Sequence, residues 1–209
     1  MSASTEVDQV VRESLADFFR WLCSSQWRGR EREAVSLYAF GFLQRRFGVG
    51  RVLHDPAQIG IEVAVPGIDS VNRKQQVCKD LVVWGAPGMT CWDESGAPTK
   101  APLAILEWKV SRKGQKEVVP SKYDLDWLGR FSCEWRELAG YALILALVPD
   151  GFLDVTRVSR GELQPGWLRL RSEPGARATR SRGTVRLPGD WARCQATTLR
   201  LACGPALRW

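Results

Sequence analysis

The sequence predicts an α/β sandwich built around a mixed sheet, and three observations predict it. Helical apolar spacing fills the first 46 residues, strand-like runs replace it between Ile59 and Val110, and one amphipathic stretch then leads into the apolar run Tyr141–Val148. Three successive strands, followed by a helix that crosses to another strand, make a mixed sheet with helices on its faces. With 209 residues the chain can bury a full core in one domain with an appendage. Its 44% hydrophobic and 25% charged residues exclude a mostly disordered chain.

Each element has its own signal. Over residues 6–23, Val10, Val11, Leu15, Phe18, Phe19 and Leu22 recur at three- and four-residue steps, and Asp8 stands in the first turn of that helix. A second helix is expected at 31–46, with Val35, Tyr38 and Phe42 on one stripe and an end at Gly48 and Gly50. Ile59–Val65 is rich in β-branched residues and stops at Pro66-Gly67, as a strand does. Val77–Trp84 and Leu103–Val110 are the next two strands, joined by the long Gly/Pro connection Gly85–Pro102. A helix over 121–139 begins with Ser121 as N-cap and Asp124 three residues later, and Gly140 closes it. Tyr141–Val148 reads as a central strand buried on both faces. Phe152–Val158 is a weaker strand, Ser172–Gly183 a flexible arginine-bearing loop, and the last 20 residues a terminal hairpin.

Several classes of function are excluded or disfavoured by composition. The longest nearly apolar run, Leu138–Pro149, has 12 residues where a bilayer span needs about 20, so no membrane partner is expected. The first 20 residues carry Glu6, Asp8, Glu13 and Asp17 without an apolar block, so no signal peptide is expected. Six scattered cysteines with no CxxC pair, and a single histidine, His54, argue against structural zinc and histidine acid–base chemistry. Reduced thiols and a cytoplasmic location follow as the expectation.

Charge is unevenly placed. Arg157–Trp209 holds eleven arginines, no lysine and three acids, a net +8, whereas residues 1–156 are close to neutral at −1. Arginine segregated in this way points to a polyanionic partner, nucleic acid first of all, although a solvated arginine-rich surface gives the same count. Arg157, Arg160, Arg169, Arg171, Arg177, Arg180, Arg182 and Arg186 are the candidate phosphate contacts. No helix-turn-helix or zinc-finger pattern accompanies them, so base-specific reading is not expected.

Three charged residues interrupt strands that should be apolar: Asp80 in VCKDLVVW, and Glu107 and Lys109 in LAILEWKV. Burying such groups without partners costs several kcal/mol, so each needs a reason. Side chains alternate along a strand, so Glu107 and Lys109 point one way and Trp108 the other. If the two strands pair, Asp80 can lie beside Glu107. Two carboxylates and an ammonium at one strand end suit metal-dependent phosphodiester hydrolysis, with hard oxygens for Mg²⁺ and a lysine beside the attacking water. A structural ion pair between Asp80 and Lys109 would account for the same residues without chemistry.

Asp80 on one strand and Glu107-Trp108-Lys109 on the next, after an acidic helix, resemble the PD-(D/E)XK nuclease superfamily. Its restriction-endonuclease-like αβββαβ core has the element order read above. Glu31-Arg32-Glu33 opening the helix, Asp80-Leu81-Val82 and Leu106-Glu107-Trp108-Lys109 are most similar to archaeal Holliday-junction resolvases. The resemblance covers about residues 31–148. It implies an Mg²⁺-dependent DNA endonuclease, with Mn²⁺ able to substitute. Asp80, Glu107 and the Trp108 carbonyl would hold the metal, Lys109 would act on the water, and Glu31 would complete the shell. Lys79 replaces the proline of the family motif, and the 80-to-107 connection is long for a resolvase.

The expected organisation is an N-terminal helix and linker (1–30), a nuclease-like core (31–158) and an arginine-rich extension (159–209). Glu31 and Glu33 compete for the metal-facing position, since each shares a stripe with apolar residues. Glu62 is expected to face outward. Lys122, Tyr123 and His54 are expected in plain surface or loop roles. Trp84, Trp108, Trp127 and Trp135 are core candidates, while Trp27, Trp92 and Trp209 fit base stacking or interface burial equally. Rivals to the nuclease reading are a silent nucleic-acid-binding or assembly module of the same fold and a subunit that cuts only with a partner. Two-strand cleavage by a single-site enzyme would call for a homodimer.

Overall fold

A computed structural model describes residues 3–25, 27–67, 75–112, 119–147 and 151–172. The elements are α1 (Ala3–Ser25), α2 (Glu31–Tyr38), β1 (Ile59–Pro66), β2 (Gln76–Val83), β3 (Ala104–Arg112), α3 (Lys122–Glu134), β4 (Ala139–Leu147), β5 (Phe152–Ser159) and β6 (Glu162–Arg171). The strands form one six-stranded sheet whose spatial order follows the chain. Every neighbouring pair is antiparallel except β3 and β4, which run parallel with α3 as their crossover. The chain is therefore α/β with a mixed sheet flanked by helices, as its periodicity predicts.

Each face of the sheet carries its own core. On one side α1, α2 and the turn after α2 bury Val11, Leu15, Phe18, Tyr38 and Leu43 against Leu106, Trp108, Tyr141, Leu143 and Val155. On the other, α3 buries Trp127, Leu128 and Phe131 against Val82, Ile105, Ala142 and Val158. The β2–β3 connection adds Cys91, Met89 and Trp92 to that second core. β4 sits between the two layers, which explains its unbroken apolar sequence. Trp108 is wholly buried, with Tyr38 and Phe18 at 5.2 and 5.8 Å between ring centroids, and this contact fixes which way β3 faces. No helix among the described residues is long and apolar enough to cross a membrane.

Three expectations need correction. The helix over 31–46 is α-helical only to Tyr38, then passes through a π turn (Ala39–Leu43) and a 3₁₀ turn (Gln44–Arg46). α3 ends at Glu134, and Leu138 is buried from the turn that follows rather than from the helix. The core does not stop at 158: Glu162–Arg171 forms a sixth strand on β5, joined by a two-residue turn in which Arg160 (φ 53°) and Gly161 (φ 80°) are both left-handed. Pro165-Gly166 masks this strand in the sequence. An edge strand tolerates proline, and Gly166 (φ 67°) takes up the irregularity. The expected terminal hairpin, nearly all of the 172–183 loop, Trp209, and Arg177, Arg180, Arg182 and Arg186 lie outside the described residues.

Strands β1 and β2 change sides partway along. Ile59, Ile61, Leu81 and Val83 pack on the α1/α2 core, whereas Val63, Val65 and Val77 pack on the α3 core. The register runs Ile61↔Leu81 and Val63↔Lys79, and the pair between them, Glu62 and Asp80, is unpaired. Glu62 is left-handed there (φ 52°), so the alternation of faces slips by one residue in both strands. Glu62 is exposed, as expected, and receives two bonds from Arg32 at 2.5 and 2.6 Å.

Candidate active site

The site begins where β2 and β3 part. Their ladder runs only through Val83↔Ala104, Val82↔Ile105 and Leu81↔Leu106. Beyond it β3 stays paired with β4 from Ala104 to Arg112, but its other edge is open. Backbone groups at alternate residues point to the same edge of a strand, so Trp108 and Val110 present theirs into the gap. Two carboxylates take them up. The Trp108 N–H donates to Asp80 Oδ2 at 2.7 Å, and the Val110 N–H donates to Glu31 Oε2 at 3.0 Å. The Trp108 carbonyl accepts from Lys109 Nζ at 2.9 Å.

The gap lets groups from both helical layers meet. Lys109 Nζ lies 3.9 Å from Glu31 Oε1 on α2 and 3.8 Å from Asp124 Oδ2 on α3. With its side chain 34% exposed, the ammonium is reachable from solvent. The alternative ion pair between Asp80 and Lys109 is not formed, since Lys109 is held by Glu31, Asp124 and the Trp108 carbonyl. Between the two helix glutamates, Glu31 is the one that reaches the strand. Glu33 Oε2 instead accepts from the Arg30 N–H at 2.6 Å and caps its own helix.

Glu107 points to the α3 side and is nearly sealed. Its partner is Lys79, whose Nζ lies 2.5 Å from Glu107 Oε1, with side-chain exposures of 2% and 7%. The contact is a short, buried ion pair. The Lys79 ammonium also lies 3.9 Å from the centroid of Trp127, whose π face offsets part of its lost hydration. Burial pushes the Glu107 carboxyl up to about 7; Lys79 draws it down, and the neighbouring Asp80 and Asp124 charges push it up.

The sequence-derived residues Asp80, Glu107, Trp108, Lys109 and Glu31 thus converge on one stretch of β3. Lys79 and Asp124 join them unforeseen. Asp124 has the signal of a capping residue, and its N–H does approach Ser121 Oγ at 3.4 Å. Lys79 had a signal, a second charge beside Asp80 in an apolar strand, but simple alternation turns it away from Glu107. Only the slip at Glu62 and Asp80 brings it round.

The described arginines divide. Arg157 is committed to Asp8 through two bonds of 2.8 Å, and Tyr141 donates to the same carboxylate. That guanidinium sits inside the fold, where it offers no face to a phosphate. Arg160 is exposed in the β5–β6 turn, at the end of the sheet away from the gap. Arg169 and Arg171 are exposed on β6, and Arg169 pairs with Asp154 at 3.2 Å.

Among the described residues, no group of three or more His, Cys, Asp or Glu side chains is drawn together as a preformed metal site. The donor chemistry nevertheless fits a hard divalent cation. Asp80, Glu31 and the Trp108 carbonyl present oxygen at one strand edge, and Glu107 is a buried carboxylate paired with Lys79. No family model, curated protein or solved structure matches the chain.

Proposed function

We propose that the chain is a divalent-metal-dependent nuclease that hydrolyses DNA phosphodiester bonds, built on the αβββαβ core of the PD-(D/E)XK superfamily. One observation carries the reading. Where β2 and β3 part, the Asp80 carboxylate from β2 and the Glu31 carboxylate from α2 bond the open backbone of Trp108 and Val110, with the Lys109 ammonium beside them. The order α2-β1-β2-β3-α3-β4, with β3 and β4 parallel, supports the superfamily assignment.

Asp80, Glu107 and the Trp108 carbonyl would hold Mg²⁺ or Mn²⁺, and Glu31 would complete the oxygen shell. Bound there, the cation supplies charge stabilisation at the phosphodiester and acidifies a water. The residues of the chain do the rest. Hydrogen bonds to β3 fix the carboxylates of Asp80 and Glu31 before substrate arrives, which limits reorganisation. Lys109, held between Glu31 and Asp124, presents N–H donors to an attacking water or a phosphate oxygen. Arg169 and Arg171 add sequence-independent affinity for the DNA backbone.

The test is cleavage of supercoiled plasmid and of short duplex DNA with Mg²⁺, Mn²⁺ or EDTA. Metal-dependent nicking is expected, and Glu107→Gln or Lys109→Ala should lower its rate at least about a hundredfold with the circular dichroism spectrum unchanged. Cleavage at the wild-type rate by both variants overturns the assignment. The Lys79–Glu107 ion pair favours a second reading, in which an ammonium stands permanently where a metal would be and the fold serves as a silent DNA-binding module. That module binds DNA with strong salt dependence, without metal and without turnover.

A further inference from the structure

A buried ammonium has a large desolvation cost and persists only where something repays it. Lys79 is among the largest fully buried side chains of the protein, yet the strand slip at Glu62 and Asp80 turns it into the α3 layer. Two groups there receive it, the Trp127 ring and the Glu107 carboxylate. Glu107 is also the buried carboxylate of the metal-holding set, and its Oε1 is the oxygen the ammonium approaches.

Resting on the nuclease reading, we infer that Lys79 is the resident counter-ion of the metal centre: its ammonium neutralises Glu107 in the metal-free protein, and a divalent cation must displace it from that carboxylate to bind. Lys79 is a positioning residue, since it acts through Glu107. The ammonium keeps the Glu107 carboxylate in place inside the α3 layer. It also competes with the metal for the same oxygen, so it sets metal affinity. The Trp127 face gives the displaced ammonium a place to stay without crossing the core.

The test is calorimetric titration of Mn²⁺ into the wild-type protein and Lys79→Met, with thermal melts of both in EDTA and in Mn²⁺. Lys79→Met should bind Mn²⁺ at least about tenfold more tightly, because the competitor is gone. It should also melt lower than wild type in EDTA and recover when Mn²⁺ is added. A merely structural lysine predicts the reverse, since loosening the layer would weaken binding. Equal or weaker affinity in a folded Lys79→Met overturns the inference and leaves the metal centre standing. No Mn²⁺ binding by either protein removes both readings.

A second measurement uses the wild-type chain alone and does not depend on the folding of Lys79→Met. In spectra of protein labelled at the lysine ¹³Cε, the Lys79 resonance, identified by its Trp127 ring-current shift, should move during Mg²⁺ titration with the calorimetric midpoint. A Lys79 resonance that stays fixed while the metal saturates its site overturns the displacement.

Discussion

Glu107 makes the protein's stability depend on pH in an unusual direction. Its carboxyl is raised to about 7 by burial, with Asp80 and Asp124 adding to the rise and Lys79 opposing it. An unfolded glutamate titrates near 4.5. Between those values the folded state holds a proton that the unfolded chain has lost, so stability falls as pH rises through that window. For the metal-free protein the loss is at most about 3 kcal/mol. Urea unfolding in EDTA at pH 5 and pH 8 should show that decline, and Glu107→Gln, which cannot titrate, should flatten it. An unchanged slope in the variant would place the titrating group elsewhere. Asp80 makes a separate contribution through the Trp108 N–H. Asp80→Ala leaves that donor unbonded beside a buried strand and should cost about 1–3 kcal/mol, whereas Asp80→Asn keeps an acceptor and should cost clearly less. Equal losses in urea unfolding would show that the bond carries no weight.

At the scale of elements, what the sequence reveals depends on whether strand and helix periods run unbroken. Both helical faces and five of the six strands are legible, because Val11, Leu15 and Phe18 keep the helical step and IGIEVAV, VCKDLVVW and YALILALV keep the strand character. The placement of Asp80 beside the Glu107–Lys109 stretch is legible as well, since the register that sets Leu81 opposite Leu106 carries the next residue to the Trp108 N–H. Lys79 was hidden because its direction depends on a left-handed residue, Glu62, that nothing in local composition requires. β6 was hidden because proline and glycine within it argue against a strand. Its turn is open to test. At Gly161 a Cβ would lie 2.4 Å from Cys133 Sγ, and the backbone there is left-handed (φ 80°). Gly161→Ala therefore combines a steric clash with backbone strain and should destabilise by about 1–3 kcal/mol. Hydrogen exchange should show β5 and β6 opening first. Wild-type protection along β6 in that variant would mean the turn does not anchor the strand.

Across the whole molecule, the sheet register fixes which arginines lie on the side of the site. One register row joins Lys109 to Ile144, Ile144 to Asp154 and Asp154 to Arg169. The residues flanking each of these, Trp108 and Val110, Leu143 and Leu145, Leu153 and Val155, Leu168 and Leu170, pack on the α1/α2 core. The row therefore lies on the α3 side, and Arg171 stands two residues further along β6 on that same side. Strand spacing puts the Arg169 backbone about 14 Å from that of Lys109. Arg160 occupies the other end of the sheet, and Arg157 is held by Asp8. Among the described residues, Arg169 and Arg171 share a row or an edge with the site, and Arg157 and Arg160 do not. A protein using this row should bind a short DNA duplex more weakly in Arg169→Gln/Arg171→Gln, and the slope of log affinity against log salt should fall by about 1 to 2. Arg160→Gln should leave both quantities unchanged. Equal weakening by the two substitutions would mean that the charge acts as a diffuse field rather than along this row.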